Sequence, residues 1–213
     1  MNVELSSEGF VVEEGVDQHY EVLKELGDCH TMLGNFDRAR QCYEEAALLA
    51  RDKPGPHVGR GVVAMQTGCH DEAEKAFNEA LHLDDRCAEA YGGLGMLYQQ
   101  CADYPKAFDF YLKALDRNTD NLVALLGLFQ TACQMGSFAK VIYYLKVYLD
   151  RHPGDVSVLF CLATLYAHDG LLDQATEAIQ TILSLEPANA EAKQLLAEVE
   201  KKRAQTSSEA AAR

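Results

Sequence analysis

Tryptophan is missing from this chain of 213 residues, and prolines number only five. With proline so scarce, long stretches rich in Ala, Leu, Glu and Lys run uninterrupted, and that composition favours helix. The seven cysteines are an odd number and never fall as a C-x-x-C pair. This argues against a disulfide framework and a zinc site, and fits a reducing compartment. No run of Lys and Arg exceeds Lys201-Lys202-Arg203, and the formal net charge is −14. A basic stripe for nucleic acid is therefore lacking, and anionic membrane surfaces are disfavoured. No window approaches the ~18 consecutive apolar residues of a membrane span. The opening "MNVELSSEGFVVEEG" has carboxylates and no basic residue, so it does not read as a signal peptide. These absences predict a cytoplasmic protein with no nucleic-acid partner and no direct membrane insertion.

Catalytic signatures are lacking too. There is no phosphate-binding loop, no G-x-G-x-x-G after a strand and no G-x-S-x-G. None of the seven histidines has another three or four places on. Cys69, His70 and Asp71 are consecutive, so their side chains point in different directions at a helix start. The glycines of "YGGLGMLY" at 91–98 lie inside a helical period and thin a helix wall instead of cradling phosphate. The expectation is a chain that is not an enzyme, with no metal and no cofactor.

What is present is a period of 34 residues. Counting from Tyr20 gives five repeats: 20–53, 54–87, 88–121, 122–155 and 156–189. Position 8 of the repeat reads Gly27, Gly61, Gly95, Phe129, Ala163. Position 20 reads Ala39, Ala73, Ala107, Val141, Ala175. Position 24 reads Tyr43, Phe77, Tyr111, Leu145, Ile179, and position 27 reads Ala46, Ala80, Ala114, Tyr148, Ile182. Several independent positions keep their residue type at one spacing, which marks a repeat array. Leu23, Leu26, Met32 and Leu33 have helical spacing, as do Tyr43, Ala46 and Ala47 beyond the glycine. Each repeat thus reads as two helices. Gly34, Gly68, Gly136 and Gly170 at position 15 end the first helix of each pair in a left-handed turn. Ala102 stands where that glycine should be, so a different turn is expected there. The small residues at positions 8 and 20 let paired helices approach, and position 24 fills the space toward the next repeat. In repeat 4, Phe129, Val141 and Tyr148 all enlarge, which predicts that its two helices splay apart.

The pattern resembles the tetratricopeptide repeat family. The likeness rests on Leu26-Gly27, Ala39, Tyr43 and Ala46 in repeat 1. In repeat 3 it rests on Tyr91, Leu94-Gly95, Tyr98, Ala107, Tyr111 and Ala114, with Pro153 and Pro187 at position 32 of repeats 4 and 5. It implies an all-α fold, a right-handed superhelical solenoid of antiparallel helix pairs, whose first helices line a concave groove. After repeat 5, residues 190–205 read as a capping helix with Asn189 as N-cap and Ala192, Leu195, Leu196 and Val199 as its apolar stripe. Lys201, Lys202 and Arg203 would suit its C-terminal end, and 206–213 would be a frayed tail. About twelve helices and no strand are expected.

On the first helices, positions 2, 5, 9, 12 and 13 form a second stripe, and the resemblance turns it toward the groove. The stripe is apolar and amide-bearing in its middle, with almost no charge. The candidate peptide-binding residues are Val58, Val62, Met65, Met96, Gln99, Leu126, Gln130, Gln134, Phe160 and Thr164. Some family members clamp a C-terminal carboxylate with Lys, Asn and Arg on this surface, and those residues are lacking here. The expected ligand is an apolar peptide or helix, with Met supplying adaptable contacts. Tyr143 and Tyr144, on a second helix, form a candidate further contact surface. Residues 1–19 fit no repeat, yet they hold Phe10, Val11, Val12 and Val16 among carboxylates. They either cap repeat 1 or enter a groove, on the same molecule or on a neighbour; the latter contact would link molecules into homo-oligomers. The function that follows is a non-catalytic interaction scaffold, self-assembling if residues 1–19 link molecules. Its size, repeat number and lack of a signal also resemble the magnetosome-associated scaffolds of this family. The alternative is a dedicated chaperone for a secreted or membrane-associated partner.

Overall fold

The computed structural model describes the backbone of residues 7–136 and 138–211, and the side chains of residues 17–136 and 138–206. The described residues contain eleven helices and no strand. Repeat 1 forms α1 (Ser7–Met32) and α2 (Phe36–Leu49), and repeat 2 forms α3 (Gly55–Gln66) and α4 (His70–Leu83). Repeat 3 forms α5 (Ala88–Gln100) and α6 (Tyr104–Arg117). Repeat 4 forms α7 (Leu122–Met135) and α8 (Ala139–Arg151), and repeat 5 forms α9 (Val156–His168) and α10 (Leu172–Leu185). The last helix is α11 (Ala190–Ala211). The helices gather into two compact parts, residues 1–118 with three hairpins and residues 119–213 with two hairpins and α11.

The backbone of 7–19 continues α1, so the repeat boundary at Tyr20 is not a break in the helix. The side chains of Phe10, Val11, Val12 and Val16 lie outside the described residues. Just beyond them, the Lys53 ammonium donates to Asp17 Oδ1 at 2.8 Å and sits 4.3 Å over the Tyr20 ring, which ties α1 to the loop before α3. Of Leu23, Leu26, Met32 and Leu33, only Leu23 turns to the core, while Tyr43 and Ala46 of the second helix are buried as expected. Leu26, Met32 and Leu33 are exposed.

The turn glycines take the expected left-handed conformation, with φ of +73° at Gly34, +76° at Gly68, +69° at Gly136 and +75° at Gly170. The expectation of a different turn at Ala102 is overturned. Ala102 has φ of +58°, and the Asp103 amide donates back to Tyr98 O at 2.9 Å. The Asn35 and Cys69 amides make the same bond to His30 O and Ala64 O, each at 2.8 Å. The helix-ending bond is available to any residue type, so the turn persists and Ala102 carries the steric cost of its Cβ.

Core packing rests on aromatic rings set against glycines. A Cβ at Gly27 would lie 2.6 Å from the Tyr43 ring, and one at Gly59 2.3 Å from it. Gly61 and Gly93 stand in the same relation to Phe77, at 2.6 and 2.3 Å, and Gly95 to Tyr111 at 2.7 Å. Position 8 of one repeat and position 6 of the next thus flank the ring from position 24. In repeat 4 the backbones of α7 and α8 run less closely together than those of the other pairs. Val141 and Tyr148 are buried there and Phe129 is half-buried, so the larger side chains hold the two helices apart.

In the second part, α11 covers the last hairpin with Ala192 and Val199 fully buried, and Asn189 Oδ1 accepts the Ala192 amide at 2.9 Å. The helix continues to Ala211, past the expected end at 205 and through most of the expected frayed tail. Lys201, Lys202 and Arg203 are therefore not at its C-terminal end. Lys202 Nζ instead donates to Ala167 O at 3.2 Å, where the carbonyls at the end of α9 favour a cation, and Arg203 pairs with Asp173.

Two substitutions test this packing. Ala102→Gly relieves the left-handed Ala at a site where a Cβ is not needed, and should raise stability by roughly 1 kcal/mol after the added flexibility of the unfolded chain. Gly93→Ala drives a methyl into the Phe77 ring and should lower stability by roughly 1–3 kcal/mol. Urea unfolding midpoints at constant slope check both. Equal midpoints for Ala102→Gly and the parent would contradict strain at that turn.

Candidate peptide-binding groove

In the first part, α3 lies beside both α1 and α5, so the first helices of three hairpins form one surface. That surface holds a groove of about 490 Å³, bordered by Lys24, Asp28, Thr31 and Met32 of α1 and by Gly55, Val58, Gly59, Val62 and Gln66 of α3. Cys87 and Glu89 close it at the start of α5. The volume falls within the range of about 300–1,000 Å³ typical of ligand pockets.

Val58 and Val62 form the apolar floor. Both are half-buried, because each also packs on the core cluster of Ala64, Phe77, Leu94 and Leu97. Polar groups stand at one wall. The Tyr43 hydroxyl comes from α2, because the ring passes between Gly27 and Gly59 and delivers its tip to the groove. It donates to Asp28 Oδ1 at 2.7 Å and lies 3.2 Å from Thr31 Oγ1, which itself donates to Gly27 O at 2.8 Å. Lys24 Nζ holds the other oxygen of Asp28 at 3.0 Å. Burial, more than these bonds, pushes the Tyr43 hydroxyl well above its usual pKa of 10.0, so it remains a neutral donor. Burial likewise raises the Cys87 thiol, which keeps it protonated beside Glu89.

The residues expected from sequence are not all brought together. Val58 and Val62 line the groove. Met65 does not. It is 8% exposed within the same core cluster, because its position faces the next hairpin, so its thioether is packing and not groove wall. Met96 is half-buried against that cluster. The Gln99 carbonyl accepts the Tyr111 hydroxyl at 2.6 Å, so this amide is engaged within repeat 3. In the second part, Leu126 on α7 and Phe160 on α9 are half-buried, and Gln130 and Gln134 are exposed. Thr164 is half-buried and donates to Phe160 O at 2.8 Å. On α8, Tyr143 is 62% exposed and meets the half-buried Tyr144 edge-on, with ring centres 5.2 Å apart. Cys69, His70 and Asp71 do not converge. His70 Nδ1 instead lies 3.5 Å from Cys101 Sγ, and no group of three metal-ligating side chains occurs among the described residues. No described helix is long and apolar enough to cross a membrane.

Sequence reasoning missed the Tyr43 hydroxyl, Gly59 and Cys87. Position 24 reads as a space-filling ring, and nothing in its spacing shows that the ring tip emerges in the groove. Glycine at position 6 in both repeats 2 and 3 was the one available signal of this close approach.

Comparison with known proteins places the chain in a class. Tetratricopeptide-repeat family models match residues 20–53, 58–121 and 134–199, and the chain belongs to that family. Such repeats are protein–protein interaction modules. Anaphase-promoting complex subunit 3 of Schizosaccharomyces pombe is 22% identical over 140 residues, covering 66% of this chain and 21% of that protein. The human protein O-mannosyl-transferase TMTC1 is 30% identical over 111 residues, covering 52% of this chain and 13% of that protein. The chain thus spans about a fifth or less of the length of these two relatives. Among solved structures, PilF of Pseudomonas aeruginosa superposes with a TM-score of 0.70 at 21% identity, over 91% of this chain and 90% of that one. MamA superposes with a TM-score of 0.61 at 23% identity, over 82% and 96%. YrrB, described as having an unusual peptide-binding site, superposes with a TM-score of 0.59 at 16% identity, over 92% and 98%. At these identities the likeness to the three structures is one of fold.

The buried tyrosines give the fold an alkaline limit. Tyr43 and Tyr111 hold their protons more tightly folded than unfolded, chiefly through burial, and Tyr98 is raised to about 12, chiefly by its 2.6 Å bond to the Glu74 carboxylate. A raised folded pKa contributes stability that is complete below the unfolded value near 10 and is lost as pH climbs toward the folded value. Melting temperature should therefore decline above about pH 10 through these groups, and Tyr111→Phe should lessen the decline. An undiminished slope in Tyr111→Phe would show that this tyrosine does not contribute.

Proposed function

We propose that the chain is a non-catalytic interaction scaffold that binds an apolar peptide or helix along the first helices of its repeats. The observation that carries this reading is the groove of about 490 Å³ with Val58 and Val62 as floor and the Tyr43–Asp28–Thr31 group at its wall. An apolar side chain seated on the valines exchanges water for hydrocarbon contact, and the exposed Gln66 amide can meet a peptide backbone. Leu126, Gln130, Gln134, Phe160 and Thr164 offer the same mixture on α7 and α9. Tyr143 and Tyr144 offer a separate aromatic contact on α8.

The test uses peptides selected from a random phage-displayed library against the whole chain. Selected peptides should be apolar at their anchoring positions. Gln66→Trp, a change at an exposed position that fills the groove, should weaken them roughly tenfold or more. Val58→Asp should do the same while far-ultraviolet circular dichroism stays unchanged. Peptides that bind both variants as tightly as the parent would overturn the groove as the site.

A further inference from the structure

Six of the twelve large apolar side chains left exposed among the described residues belong to the first hairpin and its turn: Val22, Leu26, Met32, Leu33, Leu48 and Leu49. Such clustering is not scatter, and three of the six join the exposed Cys29 in one stripe on α1 and its end. Val22, Leu26, Cys29 and Leu33 are spaced four, three and four apart, which at 3.6 residues per turn places them within a sector of about 60°. Val22 is 59%, Leu26 44% and Leu33 73% exposed, and Cys29 is exposed as well. Leu33 still donates its amide to Cys29 O at 3.0 Å, so the helical course holds to the end of the stripe. The stripe is ~17 Å long and has the alternating spacing of a helix-packing seam. It is separate from the groove, whose α1 wall is Lys24, Asp28, Thr31 and Met32.

Charge decides what covers it. From residue 17 onward α1 carries Asp17, Glu21, Glu25 and Asp28 against Lys24, and Lys24 is already held by Asp28 at 3.0 Å. Glu25, three residues from Val22 and four from Cys29, lies beside the seam, whereas Glu21 falls on the groove side with Lys24 and Asp28. Glu21 turns toward Lys53, 4.0 Å away, and Glu25 is exposed. A second copy would bring Glu25 and its equivalent to one contact between chains that each carry −14. Residues 1–6 cannot serve. Six residues span at most ~21 Å, while Leu26 lies ~28 Å along the helix from Ser7. We propose that this seam docks a basic amphipathic helix of a partner protein, with its apolar side chains on Val22, Leu26, Cys29 and Leu33 and a Lys or Arg residue against Glu25.

The probe is a labelled synthetic helix of about 18 residues with Leu at the seam positions and Lys on both flanks, beside a twin with Glu on the flanks. Fluorescence anisotropy with the full chain should show the Lys probe binding and the Glu twin at least about tenfold weaker. The double variant Leu26→Ser/Leu33→Ser keeps every charge and changes only exposed positions. It should weaken the Lys probe roughly tenfold or more, with an unchanged melting temperature. Gln66→Trp should leave this affinity as it was, so the seam and the groove succeed or fail separately. Equal affinity of the double variant and the parent would reduce the interaction to unspecific charge and overturn the proposal. Loss of the probe in Gln66→Trp would overturn it too, by moving the binding to the groove. Sedimentation that shows a dimer of the parent and a monomer of the double variant would assign the seam to a second copy instead.

Discussion

The first part of the molecule depends on one contact, an aromatic ring pressed between two glycines. Tyr43 between Gly27 and Gly59, and Phe77 between Gly61 and Gly93, occupy the volume that four Cβ atoms would otherwise claim. The arrangement removes side chains from the first helices where the ring crosses them, so those helices approach the ring face directly. A ring buries more area per rotatable bond than any aliphatic chain, and it is rigid, so it fixes both spacing and rotation. The fully buried alanines Ala39, Ala46, Ala73 and Ala80 complete the same logic from the second helices. Nothing larger fits without moving the ring.

The same contact makes the groove. Because position 59 is glycine, the Tyr43 ring runs through the wall and its hydroxyl reaches Asp28 and Thr31 on the far side. Packing and polarity are therefore supplied by a single side chain. Repeat 2 has Phe77 in that place and delivers no hydroxyl, whereas Tyr111 in repeat 3 delivers one to Gln99. The polar points along the first helices thus follow the identity of residues on the second helices, which no inspection of the groove stripe alone would show.

Much of the fold was legible because it depends on spacing. Gly34, Gly68, Gly136 and Gly170 mark turns by a conformation that few other residues adopt, and a 34-residue recurrence of small and aromatic positions marks the hairpins. Ala102 shows the limit. Residue type suggested a different turn, but the helix-ending hydrogen bonds of the neighbouring backbone outweigh a strain of roughly 1–2 kcal/mol. The groove stripe was less legible than the turns. Val58 and Val62 line the groove as their spacing implies, whereas Met65 rotates into the core and Gln99 is taken up by Tyr111. A helix face tells which residues lie together, and only the neighbouring helices decide which of them remain open. The length of α11 was hidden for a related reason. The stretch 204–211 is polar and Ala-rich, with no apolar stripe to announce a helix, although Ala and Glu propagate one readily.

Apolar surface and negative charge are distributed differently over the first part, and that difference shapes what each face can recognise. Along the groove the charges are largely spent internally, with Lys24 on Asp28 and Asp28 on Tyr43, so a ligand seated there would draw its affinity mainly from the floor valines. Along the outer side of α1, Glu25 lies beside Val22, Leu26 and Leu33, which stay exposed among the described residues. Burying those side chains would favour a partner that also answers Glu25, since leaving a carboxylate without a cation at a drying interface opposes association. On the proposed reading, a neutral apolar segment would suit the groove better than the seam. A cationic amphipathic helix would gain at the seam from both apolar burial and charge. Helix α1 therefore borders two chemically distinct faces, and selection between ligands would follow from where its carboxylates are neutralised and where they are not.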